Sequence, residues 1–133
     1  MNTYLLAIGW WNFAGSIMML GMLNERFGQK MLNEWCLMFK DKFILDYWGK
    51  LWFVWAVGLN IFFGLINIMA VKWNYEEVKM FLIGFDIIAY LIFVGLIAWG
   101  LKAGRLLRTG AYSAYFIFSV WIVWGCWVLR LVS

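Results

Sequence analysis

The sequence predicts an all-α membrane protein: a four-transmembrane-helix antiparallel bundle with an amphipathic interfacial helix between helices one and two. Three observations predict it. Of 133 residues, 66% are hydrophobic, 22% aromatic and only 14% charged, where a soluble domain has roughly 45–50% apolar and about 25% charged residues. A chain this short cannot hide that surplus in a water-facing core, so lipid is the solvent for most of it. The apolar residues also fall into four runs, 4–23, 51–71, 80–101 and 111–132. Each has about the 20 residues that cross a ~30 Å hydrocarbon layer at ~1.5 Å rise per residue. Finally, proline is absent, which favours unkinked helices. An open sheet would leave edge groups unpaired in lipid. A β-barrel would show short alternating strands, and these runs do not alternate. The chain 1–133 reads as one membrane domain.

Helix one, 4–23, opens with Met1-Asn2-Thr3-Tyr4, which lacks a basic n-region. The apolar run that follows is too long for the core of a signal peptide, so this helix is expected to stay in the mature protein. Gly9, Asn12, Ser16 and Met19 share one of its faces, a small and polar stripe suited to close helix–helix contact. In the segment 24–50, Phe27, Met31, Leu32, Trp35, Met38, Phe39 and Phe43 recur at helical spacing. Lys30, Asn33, Glu34, Lys40, Asp41 and Lys42 fall mostly on the other side. That pattern predicts an amphipathic helix over 26–43 lying in the interface, as a membrane-hugging connector or as a docking surface.

Helix two, 51–71, carries a second such stripe: Ala56, Asn60, Gly64 and Asn67. Helix three, 80–101, carries the only ionisable side chain well inside a run, Asp86. Helix four, 111–132, is rich in tryptophan. The short connections 72–79 and 102–110 make consecutive helices antiparallel neighbours. Topology follows from the Lys and Arg in the short loops. Loops one and three hold eight of these residues, and the opposite side holds three, Lys72, Lys79 and Arg130. That bias predicts a multi-pass cell-membrane protein with loops one and three cytoplasmic and both termini outside.

Composition also excludes functions. Histidine is absent, which removes the usual ligand of membrane haem, zinc and non-haem iron and the commonest neutral-pH acid–base. Cys36 and Cys126 lie far apart and form neither a bridge nor a metal site. No cofactor is expected. The basic residues are spread between apolar runs rather than gathered on a helix or stripe, so nucleic acid is no partner despite the net charge of +4.

Asp86 is the residue that packing explains least. A charged Asp near a helix centre costs about 2.5–3.5 kcal/mol on insertion scales, and such residues often mark a function. Two plainer readings stand beside that one: a protonated Asp86 hydrogen-bonded as interhelical glue, or a helix that begins late enough to leave Asp86 near the headgroups. Counting down from the outer helix ends puts Asn12, Asn67 and Trp124 at a similar depth, with Tyr90 one turn from Asp86. The expected ligand or proton site is therefore Asp86 with Asn12, Asn60, Asn67, Tyr90, Trp11 and Trp124. The aromatic faces near a carboxylate suit a cationic or flat hydrophobic ligand, although bulky packing accounts for them too.

Two functions follow. The first is a non-enzymatic binding or accessory subunit, holding a hydrophobic, lipid-like ligand or docking on a larger membrane complex. The alternative is a small proton-coupled transporter or channel, homodimeric because four helices enclose little room, with Asp86 as its ionisable site. An enzyme is disfavoured, because no nucleophile–base pair, metal cluster or paired carboxylate can be assembled from these residues.

Overall fold

Four apolar helices dominate the computed structural model, which describes residues 1–40 and 46–132. They are α1 (Asn2–Leu20), α3 (Tyr47–Ala70), α4 (Glu76–Lys102) and α5 (Arg108–Val132). All four are long and apolar enough to cross a membrane. A short α2 (Glu25–Gln29) follows a 3₁₀ turn at Gly21–Leu23 and runs into a π-helical turn at Lys30–Trp35. Among the described residues no strand forms, only an isolated bridge between Phe39 and Leu106.

The helix ends lie outside the apolar runs for identifiable reasons. Asp46 caps α3, its Oδ1 accepting from the Gly49 N–H at 2.6 Å, so the helix starts before the apolar run at 51. Glu76 and Glu77 occupy the first turn of α4, where the helix dipole favours acid. The other end of α4 closes on Gly104, at φ +72°. There the Arg105 N–H donates to the Gly100 carbonyl and the Gly104 N–H to that of Leu101, both at 3.0 Å, a Schellman ending.

The single helix expected over 26–43 does not form. Leu37 sits at φ +47°, a left-handed conformation that stops a helix. Beyond it the chain runs extended: the Lys40 N–H donates to the Arg105 carbonyl at 3.2 Å and the Leu107 N–H to that of Met38 at 2.9 Å. Met38 and Phe39 pack against Ile97, Leu106 and Ala111. Their apolar spacing thus serves tertiary packing between the connections rather than a continuous amphipathic face. Positions 41–43 of that expected helix lie outside the described residues.

The helices pack as two close pairs. At the α1–α3 crossing a Cβ on Gly9 would lie 2.8 Å from the Gly64 carbonyl oxygen, and one on Gly64 would lie 2.9 Å from the Gly9 oxygen. Small residues here let two backbones touch. Val57 rather than Ala56 is buried on α3, so the inward stripe is rotated slightly from the one the sequence suggested. On α4 and α5, Ile87 meets Gly125 and Tyr90 and Phe93 meet Phe118. One core cluster joins both pairs through Tyr4, Leu5, Ile8, Ile83, Ile87 and Val128. The outward faces remain apolar and open: Trp52 is 72% exposed, Phe81 72% and Phe116 71%.

Candidate functional site

Three of the four long helices, α1, α3 and α4, contribute side chains to one buried polar cluster. On α4 the residues Lys79, Ile83, Asp86 and Tyr90 follow one another at three- and four-residue steps, so they line one face, and all four are buried. Asp86 is 4% exposed, and α4 starts at Glu76, before the apolar run at 80 rather than later. Its carboxyl accepts from Asn67 Nδ2 of α3, at 3.2 Å to Oδ1 and 3.0 Å to Oδ2. One turn along, the Tyr90 hydroxyl donates to Asn12 Oδ1 of α1 at 2.7 Å. Trp11 stands beside Trp121 of α5, with ring centroids 5.9 Å apart.

Helix α5 closes the cluster with rings instead of polar groups. Trp121 and Trp124 stack with centroids 5.6 Å apart and planes at 17°. Tyr4 of α1 stands edge-on to Trp124, at 5.4 Å and 84°. Aromatic pairs of this kind contribute about 0.5–1.5 kcal/mol beyond their buried area. Gly125 makes room for this arrangement: a Cβ there would fall 2.9 Å from Ile87 Cγ1 and 3.0 Å from the Tyr4 hydroxyl oxygen.

The expected site residues are not all brought together. Asp86, Asn67, Tyr90 and Asn12 share the buried cluster, and Trp124 covers it. Trp11 sits at its rim, 45% exposed. Asn60 lies apart: its Nδ2 donates to Ser16 Oγ at 2.8 Å, two turns from Asn67 on α3. That bond ties α1 to α3 and involves neither Asp86 nor Tyr90.

Two residues of the cluster region were missed from sequence. Tyr4 belongs to the core, 1% exposed, although it stands at the very start of helix one. The signal was there in the four-residue steps Tyr4, Ile8, Asn12 and Ser16, which put it on the polar stripe. Lys79, a loop cation by its place in the sequence, is 3% exposed, its ammonium 2.9 Å from Glu76 Oε1. Its position seven residues before Asp86 places both on one helix face, two turns apart.

Two buried polar atoms of the cluster are unpaired: the Tyr4 hydroxyl and Asn67 Oδ1. One can donate and the other can only accept, so the cluster retains hydrogen-bonding capacity for a further polar group. With a single carboxyl, two phenols and two amides, the arrangement can bind a polar or cationic group or hold a proton. Among the described residues no three His, Cys, Asp or Glu side chains converge.

A separate groove of about 460 Å³ runs along the outside of α5, lined by Phe116, Ser119, Val120, Val123, Trp124 and Trp127. Trp124 therefore faces two ways, forming a wall of the groove and a cover for Tyr4. No protein family, curated protein or solved structure shows significant similarity to this chain.

Proposed function

We propose that the chain is a multi-pass membrane protein acting as a non-enzymatic binding or accessory subunit for a hydrophobic, lipid-like ligand. The observation that carries this reading is the α5 groove. Its walls are aromatic and aliphatic with one hydroxyl, Ser119, the lining expected of a site for an elongated apolar molecule. Through Trp124 an occupant would bear directly on Tyr4 and the polar cluster behind it. The four long helices form an antiparallel bundle, and α2 with its π-helical turn lies at the interface.

Filling the groove tests this. Val123 is 66% exposed, so Val123→Trp leaves the core intact. The variant is expected to melt like the wild type while binding a pyrene-labelled fatty acid about tenfold more weakly, or about 1.4 kcal/mol, read by energy transfer from tryptophan. Unchanged affinity would end the groove reading.

The chain is placed in the cell membrane with both termini outside, on the eight-to-three bias in Lys and Arg. A reporter fused after Ser133 is expected to be active only on the outer side. Activity only in the cytoplasm would invert the topology and move the Asp86 cluster to the inner leaflet.

A second reading is a proton-coupled transporter or channel working as a homodimer, with Asp86 as the ionisable site. The unpaired Tyr4 hydroxyl and Asn67 Oδ1 favour it, since a proton path needs groups free to exchange partners. Binding remains the better supported on the strength of the α5 groove. The buried polar groups run over several turns, from Lys79 through Asp86 and Tyr90 to Ser16, as a path would need.

A further inference from the structure

At the opposite end of the molecule from the loop between α3 and α4 lies a second cavity, of about 660 Å³. It sits where α4 ends and α5 begins. Three cations line it: Lys40 from the segment after α2, Lys102 from the last turn of α4 and Arg108 from the first turn of α5. Thr109 and Tyr112 add hydroxyls, and leucine side chains supply the rest. None of the described residues lining it is acidic.

The backbone fixes this gathering of charge. The bridge between Phe39 and Leu106 brings Lys40, from a connection more than sixty residues earlier, beside the start of α5. Gly110 seals the arrangement from below, since a Cβ there would lie 2.6 Å from the Cys36 carbonyl oxygen. Like charges held together repel, and none of Lys40, Lys102 and Arg108 forms an ion pair among the described residues. The start of α5 adds its own partial positive charge, and no acid stands in its first turn. A cavity that is cationic at its mouth, apolar at its floor and level with the helix ends matches one kind of molecule. Its headgroup is anionic and its tail is hydrocarbon.

We propose that this cavity binds the phosphate headgroup of an anionic phospholipid, with Lys40, Lys102 and Arg108 on the phosphate and the first-turn N–H groups of α5 beside it. Basic pockets between membrane helices take such headgroups, and helix starts favour anions. The leucine floor receives the glycerol and first acyl carbons. The site rests on the multi-pass placement of the chain but shares no lining residue with the α5 groove, which lies further along that helix.

The test uses the full chain purified in a mild detergent, with lipid retention followed by native mass spectrometry. The wild type is expected to retain phosphatidylglycerol about tenfold better than phosphatidylcholine, which carries the same phosphate diester without net charge. The double substitution Lys102→Gln, Arg108→Gln should reduce phosphatidylglycerol to the phosphatidylcholine level. Lys72→Gln, at the other end of the molecule, should leave it unchanged. Both pocket side chains are exposed, so the melting temperature should hold; if it moves, Lys40→Gln alone carries the comparison. Three results would overturn the proposal: equal retention of the two lipids, an equal loss with Lys72→Gln, or displacement of the lipid by millimolar inorganic phosphate. The last would show a site for a soluble phosphate instead. Release of the chain from membranes by alkaline carbonate would be a different failure, that of the multi-pass placement itself.

Discussion

Gly64→Leu is expected to prevent α1 and α3 from packing and to leave little folded protein. At their crossing the two backbones touch: a Cβ on Gly64 would meet the Gly9 oxygen and the Phe13 nitrogen, both at 2.9 Å. Neither obstacle is the end of a flexible side chain, so relief requires the helices to separate. Overpacking by a methylene or so in a well-packed core costs about 1–3 kcal/mol, and Gly64→Ala should show a loss of that order. Leucine adds three further carbons to the same contact and should exceed it. Separation would also break the Asn60–Ser16 bond at 2.8 Å. Gly58 gives the control, because a Cβ there meets nothing within 4 Å. Gly58→Ala should be neutral or gain about 0.5–1 kcal/mol from helix propensity. Unfolding in graded denaturing detergent reads all three variants. Equal melting of Gly64→Ala and Gly58→Ala would show that the crossing tolerates expansion, and that the small residues of α1 and α3 do not hold the pair together.

The four long helices were legible because lipid imposes one requirement, about twenty apolar residues in a row, and each run meets it without help from the others. Helix ends were less legible. Asp46 and the Glu76–Glu77 pair extend α3 and α4 past their apolar runs, and capping is a local polar effect that hydropathy does not register. The connection after helix one misled for a related reason. Met38 and Phe39 have the spacing of an amphipathic helix, yet they bury themselves against Ile97 and Leu106. Only the pairing of two distant loops reveals that choice. Asn12, Asn67 and Asp86 could be placed at a similar depth by counting residues, with Tyr90 one turn away. Which amide would face which acid could not be read that way, since partners depend on helix rotation and crossing. Tyr4 and Lys79 were hidden by their positions near helix starts, where sequence reasoning assigns interface or loop. Trp11, grouped with the deep residues by depth alone, turns out to sit at the rim, because depth says nothing about facing.

Asp86→Asn is expected to fold like the wild type and to lose function, and a double-substitution cycle with Asn67 can establish why. The Asp86–Asn67 contact is a single amide nitrogen reaching both carboxyl oxygens at 3.2 and 3.0 Å. Interhelical hydrogen bonds between neutral groups in membrane proteins average about 0.6 kcal/mol, with a maximum near 1.7. A bond to a charged group is worth about 1.5–3 kcal/mol. Comparing Asp86→Leu, Asn67→Leu and the double variant isolates the coupling between the two side chains. Either single substitution leaves one buried partner unsatisfied at a cost of about 1–3 kcal/mol, and the double variant removes both. A coupling near 0.6 kcal/mol describes a protonated acid serving as glue, whereas a value above about 2 kcal/mol describes a carboxylate held ionised. Asp86→Asn then separates bonding from titration, because the amide keeps an oxygen to accept from Asn67 Nδ2 but does not ionise. Its unfolding free energy should lie within about 1 kcal/mol of the wild type. Ligand binding at the α5 groove, or proton uptake into sealed vesicles, should fall at least tenfold if Asp86 carries the function. A variant that is both stable and fully active by both measures would reduce Asp86 to a packing residue. It would leave the α5 groove, not the buried carboxyl, as the working part of the molecule.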